Sequence, residues 1–143
     1  MIEPRFTVTV GVVVCDDEGR VLLLKHVFRI GSGWGIPGGF IERGEQPEEG
    51  LRRELREEAG LDIEDVELLF ARTLKRPQQV ELIYRCRASG MVTAQSFEIK
   101  TAKWFAPDAL PPGLPSDQQN AIRRAIEKKM SDAGCQMSVK SEN

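Results

Sequence analysis

The sequence predicts an α/β protein in which a mixed β-sheet is packed between helices. Three observations lead to this prediction: strand-like runs rich in β-branched residues, two helix-like stretches, and their order along the chain, β-β-α-β-β-β-α. The chain has 143 residues and 41% of them are hydrophobic, so one domain can bury a core of ordinary size. We therefore expect a single domain over residues 1–130.

The first half of the chain begins with two strands. Residues 5–15, RFTVTVGVVVC, are mostly apolar and β-branched, which predicts a strand whose second half is buried on both faces. Residues 16–19, DDEG, form a turn sequence, and residues 20–28, RVLLLKHVF, return as a second strand, so together they predict a β-hairpin. Residues 29–39, RIGSGWGIPGG, are rich in glycine and predict a loop.

The second half supplies three more strands and a helix. The strands are predicted over residues 66–74, 80–88 and 97–106, and the helix over 116–130, where alanine and isoleucine recur on one face. Residues 131–143 are polar and lack this periodicity, so we expect them to form a disordered tail.

Composition and charge exclude several classes of protein. The net charge is −2, from 20 basic and 22 acidic residues, so no overall basic field exists to bind duplex nucleic acid or an anionic membrane. No apolar run is long enough for a transmembrane helix. The three cysteines are far apart, which is typical of reduced thiols and predicts a cytoplasmic protein. The single histidine, His26, excludes a histidine-rich metal centre.

Residues 39–61, GFIERGEQPEEGLRRELREEAGL, are rich in glutamate and predict a helix with an acidic side. Gly44 and Pro47 mark its start and Gly60 its end. At about 100° per residue, Glu58 lies about 40° to one side of Glu54 and Glu57 about 60° to the other. The three carboxylates are therefore expected to share one side of the helix.

Two further features of this helix follow from the same projection. Gly50 is expected one turn below Glu54, where a glycine removes bulk beside the carboxylates. Arg53 stands at i, i+4 spacing from both Glu49 and Glu57 and partly neutralises the flank.

Like charges one turn apart repel each other, so something is expected to offset their repulsion. A hard divalent cation such as Mg²⁺ prefers oxygen ligands of this kind. A glycine-rich loop precedes the helix and could bring backbone close to phosphate groups. The alternative is a solvated acidic helix, because glutamate is a good helix former and acidic faces are common.

The same stretch resembles the Nudix hydrolases, whose box is G-x5-E-x7-R-E-U-x-E-E-x-G-U with U aliphatic. Every specified position matches: Gly39, Glu45, Arg53, Glu54, Leu55, Glu57, Glu58, Gly60 and Leu61. The flanking sequences WGIPGGFIERGE and AKWFAPDALP also resemble the family, so the resemblance covers residues 6–127.

The resemblance implies a Nudix fold, an α/β/α sandwich in which the box forms a loop-helix-loop. It implies that Glu54, Glu57 and Glu58 bind the metal, with help from the Gly39 carbonyl. The expected cation is Mg²⁺, with Mn²⁺ as a substitute, because the ligands are carboxylates and not histidines.

The resemblance also implies roles for other residues of the box. Glu45 and Gly60 would be structural, and Arg53 would contribute to catalysis by holding the loop and the helix together, since arginine forks a carboxylate well. The base that activates water is left open between Glu54 and Glu98. Glu98 stands just before a predicted strand, and its alternative is an ordinary exposed residue at a strand edge.

Three residues outside the box are candidates for contact with substrate. Arg29 stands in the glycine-rich loop, where it could meet phosphate, although a lone surface arginine is usually only solvated. Trp34 could stack a base or pack in the core. Tyr84 could face a substrate from a predicted strand.

Two classes of function follow. The first is a Mg²⁺-dependent pyrophosphohydrolase acting on a nucleoside diphosphate linked to another moiety, by attack of water on phosphorus. Its candidate substrates are ADP-ribose and other nucleotide sugars, (d)NTPs, dinucleoside polyphosphates and capped RNA. The short region before the first strand favours a compact MutT-like type, and a homodimer is left open. The alternative is a non-catalytic Nudix-fold module that senses a nucleotide.

Overall fold

The protein is described by a computed structural model, which covers residues 2–28, 31–94 and 96–141, with side chains described as far as Asp132. Within these residues the chain forms seven strands and two helices. In chain order they are β1 (Thr7–Cys15), β2 (Val21–His26), β3 (Trp34–Gly35), β4 (Gly38–Phe40), α1 (Pro47–Ala59), β5 (Glu64–Leu74), β6 (Gln79–Arg87), β7 (Ile99–Phe105) and α2 (Ser116–Ser141).

The strands form one mixed sheet in the order β3-β2-β1-β6-β5, with β4 paired to β1 and β7 paired to β2. The pairing of β1 with β6 is parallel, from Thr7 opposite Gln79 to Cys15 opposite Arg87, and the other pairs are antiparallel. The predicted mixed α/β sheet is confirmed.

The helices cover opposite faces of the sheet because β1 is apolar on both sides. Val10, Val12 and Val14 pack with Leu51, Leu55 and Ala59 of α1. Val13, which points to the other face, packs in a second cluster with Ala121, Ile122 and Ala125 of α2. The predicted sandwich is therefore confirmed, and so is the burial of the second half of β1 on both faces.

The predicted hairpin of the first two strands is confirmed only at its turn. β1 and β2 pair where Cys15 faces Val21. Further from the turn, β4 pairs with β1 and β3 pairs with β2, so the predicted loop over 29–39 contains two short strands. Gly38 permits the close approach of β4, because a Cβ on it would lie 2.2 Å from the carbonyl oxygen of Val10.

The final helix is longer than predicted. α2 continues to Ser141, through most of the segment expected to be a disordered tail, and residues 142 and 143 lie outside the described part. A helix can continue without an apolar face where its polar side chains form hydrogen bonds and ion pairs with neighbouring strands. Here Arg85 of β6 donates to Asp132, and Lys128 lies 3.2 Å from Glu67 of β5. None of the described helices is both long and apolar enough to span a membrane.

Candidate active site

The acidic helix begins and ends where the sequence predicts. Pro47 is its first residue, and Gly60 ends it in the left-handed conformation with φ of 67°. The backbone N–H of Gln46 donates to the carboxylate of Glu49 at 3.5 Å, which closes the first turn. Leu51 and Leu55 are fully buried against the sheet. The opposite side of α1 is therefore free to carry charged groups.

Arg53 joins this helix to the loop before it. Its Nε and Nη2 donate to the two carboxylate oxygens of Glu45 at 2.7 and 3.0 Å, a bidentate pair. Its Nη2 also donates to the carbonyl oxygen of Phe40, 3.2 Å away, at the end of β4. One guanidinium thus holds the loop, the strand and the helix in one arrangement, as the sequence predicts for Glu45 and Arg53.

The remaining nitrogen of Arg53 faces the acidic residues on its own helix. Nη1 donates to Glu54 at 3.1 Å and to Glu57 at 3.2 Å. The pairing of Arg53 with Glu57 is confirmed, whereas Glu49 takes part in the helix cap. In this structure the arginine therefore offsets part of the like-charge repulsion for which the sequence suggested a cation.

Gly39 lies directly against the carboxylate of Glu54. A Cβ on Gly39 would lie 2.4 Å from Oε1 of Glu54, so only glycine leaves room for the carboxylate beside this strand. Gly50 also makes room for a carboxylate, but that carboxylate belongs to Glu45 and not, as predicted, to the cluster around Glu54. A Cβ on Gly50 would lie 2.8 Å from Oε1 of Glu45, so this glycine makes room for the carboxylate that Arg53 binds.

The three predicted metal ligands differ in exposure. Their exposed fractions are 15% for the side chain of Glu54, 59% for that of Glu57 and 6% for Glu58 as a residue. Among the described residues, no three acidic, cysteine or histidine side chains converge as a ready metal site. The groups nevertheless fit a hard cation, because they are oxygen donors and the carboxylates of Glu54 and Glu57 both reach the same nitrogen of Arg53.

The hydrogen bonds between Glu45 and Arg53 shift the pKa values of both groups. The hydrogen bonds from Arg53 lower the pKa of Glu45 from 4.5 to about 2, with a smaller contribution from a backbone hydrogen bond in the Glu42 turn. Donation of these hydrogen bonds to Glu45 raises the pKa of Arg53. Both groups therefore stay charged over the whole working range of an enzyme.

The structure does not bring Glu98 to the acidic helix in any contact of the described residues. Its side chain is exposed, and its carbonyl oxygen accepts a hydrogen bond from Val27 at 2.9 Å, beside the end of β2. This position fits the ordinary strand-edge alternative for Glu98. A role as base stays a prediction.

Of the three residues predicted to contact substrate, two take part in packing and one cannot be placed. Trp34 packs edge-on against Phe105 with ring centroids 5.0 Å apart, which fits the packing alternative. Tyr84 packs against the core on the α1 side, and burial raises its pKa, with a further contribution from Glu48. Arg29 lies outside the described residues.

Sequence reasoning missed two contributors to the framework around Arg53. Glu42 lies 3.6 Å from Nη1 of Arg53, and its backbone N–H donates to Oε1 of Glu45 at 3.0 Å. The carbonyl oxygen of Phe40 is the second. The spacing of Glu42 three residues before Glu45 could have suggested a turn, but a backbone carbonyl carries no signal in the sequence.

Comparison with known proteins places this arrangement in a family. The family profile described as "NUDIX domain" matches residues 5–127. A MutT-like protein of Streptomyces ambofaciens is 37% identical over 106 residues, which are 73% of this chain and 67% of the relative. The NAD-capped RNA hydrolase NudC of Pseudomonas aeruginosa is 32% identical over 125 residues, which are 87% of this chain and 44% of that enzyme.

A solved structure agrees with the sequence matches. The MutT NUDIX hydrolase of Burkholderia pseudomallei superposes with a TM-score of 0.73 at 28% identity, over 85% of this chain and 98% of that one. The curated relatives are longer than the matched region, and the chain spans less than half of the Pseudomonas enzyme. The profile match covers most of the chain, including every residue of the framework around Arg53. This protein belongs to the Nudix hydrolase family.

Proposed function

We propose that the protein is a Mg²⁺-dependent pyrophosphohydrolase that cleaves the diphosphate linkage of a nucleoside diphosphate joined to another moiety. The observation that carries the proposal is the contact of Gly39 with Glu54 beside the bidentate pair of Arg53 and Glu45. This contact places the first residue of the Nudix box against a carboxylate in the middle of α1. Mn²⁺ would substitute for Mg²⁺ on the same oxygen ligands.

The residues that would hold the cation are Glu54, Glu57, Glu58 and the carbonyl of Gly39. When bound, Mg²⁺ would neutralise phosphate charge and lower the pKa of a coordinated water. The carboxylates of Glu54 and Glu57 share the Nη1 of Arg53, so they are oriented but not fully neutralised. Arg53 would keep this orientation while substrate binds and leaves.

The reaction breaks one P–O bond of the anhydride and forms another from water. The water proton passes to a carboxylate, and the phosphate that leaves carries the negative charge of the broken bond. Glu54 is the better-supported acceptor, because it lies in the site against Gly39 and is held by Arg53. Glu98 stands outside these contacts, exposed in the turn just before β7.

The substrate class is a nucleotide in which a diphosphate joins two groups. The similarity to an NAD-capped RNA hydrolase supports testing NAD and NAD-capped RNA. ADP-ribose, dinucleoside polyphosphates and (d)NTPs complete a panel that separates the kinds of leaving group.

The test is hydrolysis of this panel with Mg²⁺, with Mn²⁺ and with EDTA, for the parent and for Glu54→Gln. We expect turnover of at least one substrate with either metal, none in EDTA, and loss of turnover by orders of magnitude in the variant. Binding of nucleotide without turnover of any member would instead support the sensing module. Full activity in EDTA would exclude the metal-dependent mechanism.

A further inference from the structure

The short connection between β3 and β4 has a single backbone donor. It consists of Ile36 and Pro37, and proline has no backbone N–H. The connection passes from the edge of β2 to the edge of β1, because β3 pairs with β2 and β4 pairs with β1. The N–H of Ile36 therefore lies at the point where the chain leaves one ladder for another, and its partner there is a side chain.

That partner comes from α2, on the face of the sheet opposite α1. The N–H of Ile36 donates to Oε1 of Gln118 at 2.8 Å, across 82 positions of the sequence. The side chain of Ile36 is 7% exposed and packs in the cluster that contains Ala121 and Ile122 of α2. Apolar packing fixes how deeply the segment lies, whereas a hydrogen bond also has a preferred direction. Gln118 therefore fixes the orientation of the backbone at Ile36.

The same segment leads directly to the acidic helix. Gly39 follows Ile36 by three residues, so at most about 11 Å separate their Cα atoms. Pro37 is fully buried, and its carbonyl oxygen accepts a hydrogen bond from the N–H of Val12 at 3.0 Å. A Cβ on Gly38 would lie 2.2 Å from the backbone of β1. The residues between are closely confined, so a shift of the backbone at Ile36 is passed on to Gly39.

Gly39 has little tolerance for such a shift. A Cβ on it would lie 2.4 Å from Oε1 of Glu54, so its backbone lies against that carboxylate. The carbonyl of Gly39 is also one of the oxygen donors of the proposed cation site. A change in the position of β4 would thus alter the distance between two groups that are proposed to hold the same cation.

We propose that Gln118 is a positioning residue of the active site. Through the backbone of residues 36–38 it holds Gly39 against Glu54, so that α2 contributes to metal affinity from the opposite face of the sheet. The inference rests on the proposed function for its effect on metal, whereas the positioning itself can be tested without metal. The simpler role, in which Gln118 only satisfies one backbone donor, predicts an effect confined to Ile36.

Three variants separate these roles. Gln118→Met keeps the length of the side chain but replaces the amide by a thioether, which is a weak acceptor. Gln118→Glu keeps an acceptor oxygen, and a negative charge is favourable at the start of a helix. Gln119→Met is the matched control, because the amide of Gln119 donates instead to the carbonyl oxygen of Leu114 at 2.7 Å, before α2 begins. Each methionine variant loses one hydrogen bond at the start of the same helix.

Mg²⁺ binding is measured by calorimetry for the parent and the three variants. Gln118→Met is expected to weaken Mg²⁺ binding about tenfold, the lower end for groups that orient metal ligands. Gln118→Glu should restore the affinity, and Gln119→Met should keep that of the parent. In a turnover assay Gln118→Met should need more Mg²⁺ but approach the kcat of the parent at saturation, because the carboxylates themselves are unchanged.

Hydrogen exchange of the backbone amides, followed by NMR in EDTA, tests the positioning without metal. Gln118→Met is expected to speed exchange at Ile36 and also at Gly38 and Gly39, because the whole segment is loosened. Gln119→Met should leave these three amides as they are in the parent. Faster exchange at Ile36 alone would establish the simpler role and overturn the positioning role.

Three further results would overturn the inference. The first is parental Mg²⁺ affinity in Gln118→Met, and the second is an equal loss in both methionine variants, which would assign the effect to the stability of α2. The third is a higher KM for the best nucleotide of the panel at unchanged Mg²⁺ affinity, since the amide would then contact substrate. A parent that binds no Mg²⁺ and hydrolyses nothing would reject the proposed function, whereas exchange at Gly38 and Gly39 would still decide the positioning role.

Discussion

Arg53 and Glu45 form a bidentate pair, at 2.7 and 3.0 Å, that ties the middle of α1 to the loop before it. The side chain of Glu45 is 12% exposed and that of Arg53 is 22% exposed, so solvent competes weakly for these hydrogen bonds. Because the same guanidinium orients Glu54 and Glu57, the pair links the position of the loop to the position of the carboxylates.

Arg53→Ala is expected to lower kcat about a hundredfold, because small displacements of catalytic groups have effects of this size. It should also lower the free energy of unfolding by about 1–3 kcal/mol, since Glu45 loses its charged partner. Urea unfolding and a turnover assay check both values. Arg56→Ala is the control, because its pair with Asp62 is exposed and its removal should change stability by less than about 1 kcal/mol. A variant at position 53 with the kcat of the parent would contradict the positioning role.

Acid is expected to weaken the same pair. The folded pKa of Glu45 is about 2 and its ordinary value is 4.5, so its stabilising effect is complete above pH 4.5 and is lost as the pH falls towards 2. Glu45→Gln should therefore be less stable than the parent at neutral pH, and the difference should shrink across this window. Urea unfolding of both proteins from pH 2 to 6 measures the difference. Glu67, whose pKa is also lowered, is present in both proteins and cancels from the comparison. A difference independent of pH would show that the charge of Glu45 is not the stabilising feature.

Glu57→Gln is expected to leave the stability of the metal-free protein almost unchanged but to reduce both stabilisation by metal and turnover. Without metal, Glu57→Gln relieves repulsion and weakens one exposed contact with Arg53, so its stability should stay within about 0.5 kcal/mol of the parent. With Mg²⁺, the melting temperature of the parent should rise by ligand linkage, and that of the variant should rise less. Its kcat should fall by orders of magnitude. Glu48→Gln, on the same helix but paired with Arg52, is the control and should gain as much as the parent. An equal gain in both variants would exclude Glu57 as a ligand.

The contact of Gly39 with Glu54 can be tested by a double-mutant cycle. Gly39→Ala should lower the free energy of unfolding and the turnover, because the added methyl would overlap the carboxylate at 2.4 Å. In a Glu54→Ala background the same substitution should cost less stability, since the overlapping carboxylate is gone. Denaturant unfolding of the four proteins measures the coupling. Additive effects would mean that the glycine is required for another reason.

Gly50→Ala is expected to have two opposing effects on the free energy of unfolding. The substitution favours the helix by about 1 kcal/mol, but its Cβ would meet Glu45 at 2.8 Å, so we expect no net stabilisation. Melting of Gly50→Ala beside the parent checks this, and a clear rise in melting temperature would show that Glu45 moves aside freely.

Truncation after Met130 is expected to leave a folded and active enzyme. It removes Asp132, yet Arg85 keeps two hydrogen bonds to Glu67 at 2.8 and 3.0 Å. We expect a loss of about 1–2 kcal/mol in unfolding free energy, in the range of one charged hydrogen bond. Asp132→Asn in the full chain isolates that contact. Loss of turnover on truncation, with the point variant active, would assign the end of α2 to the active site.

The sequence by itself determined the local features of this protein. The bounds of α1 follow from Pro47 and Gly60, because backbone conformation at these residues depends on their own stereochemistry. The burial of β1 on both faces follows from its unbroken apolar run. The spacing of the box indicated both the family and the role of Arg53 as a link between loop and helix.

Only the tertiary structure decided which groups meet across the chain. Gly50 makes room for Glu45 because the loop folds back onto α1, and no helical projection includes a loop. Glu58 is 6% exposed while Glu57 lies open to solvent, because the sheet covers one side of a helix whose acidic residues look equivalent in sequence. β1 and β2 separate after one pair because β4 pairs with β1 and β3 pairs with β2 along the edges where the hairpin would continue. Local stereochemistry acts between neighbours in sequence, whereas pairing and burial depend on contacts that form only when the whole sheet assembles.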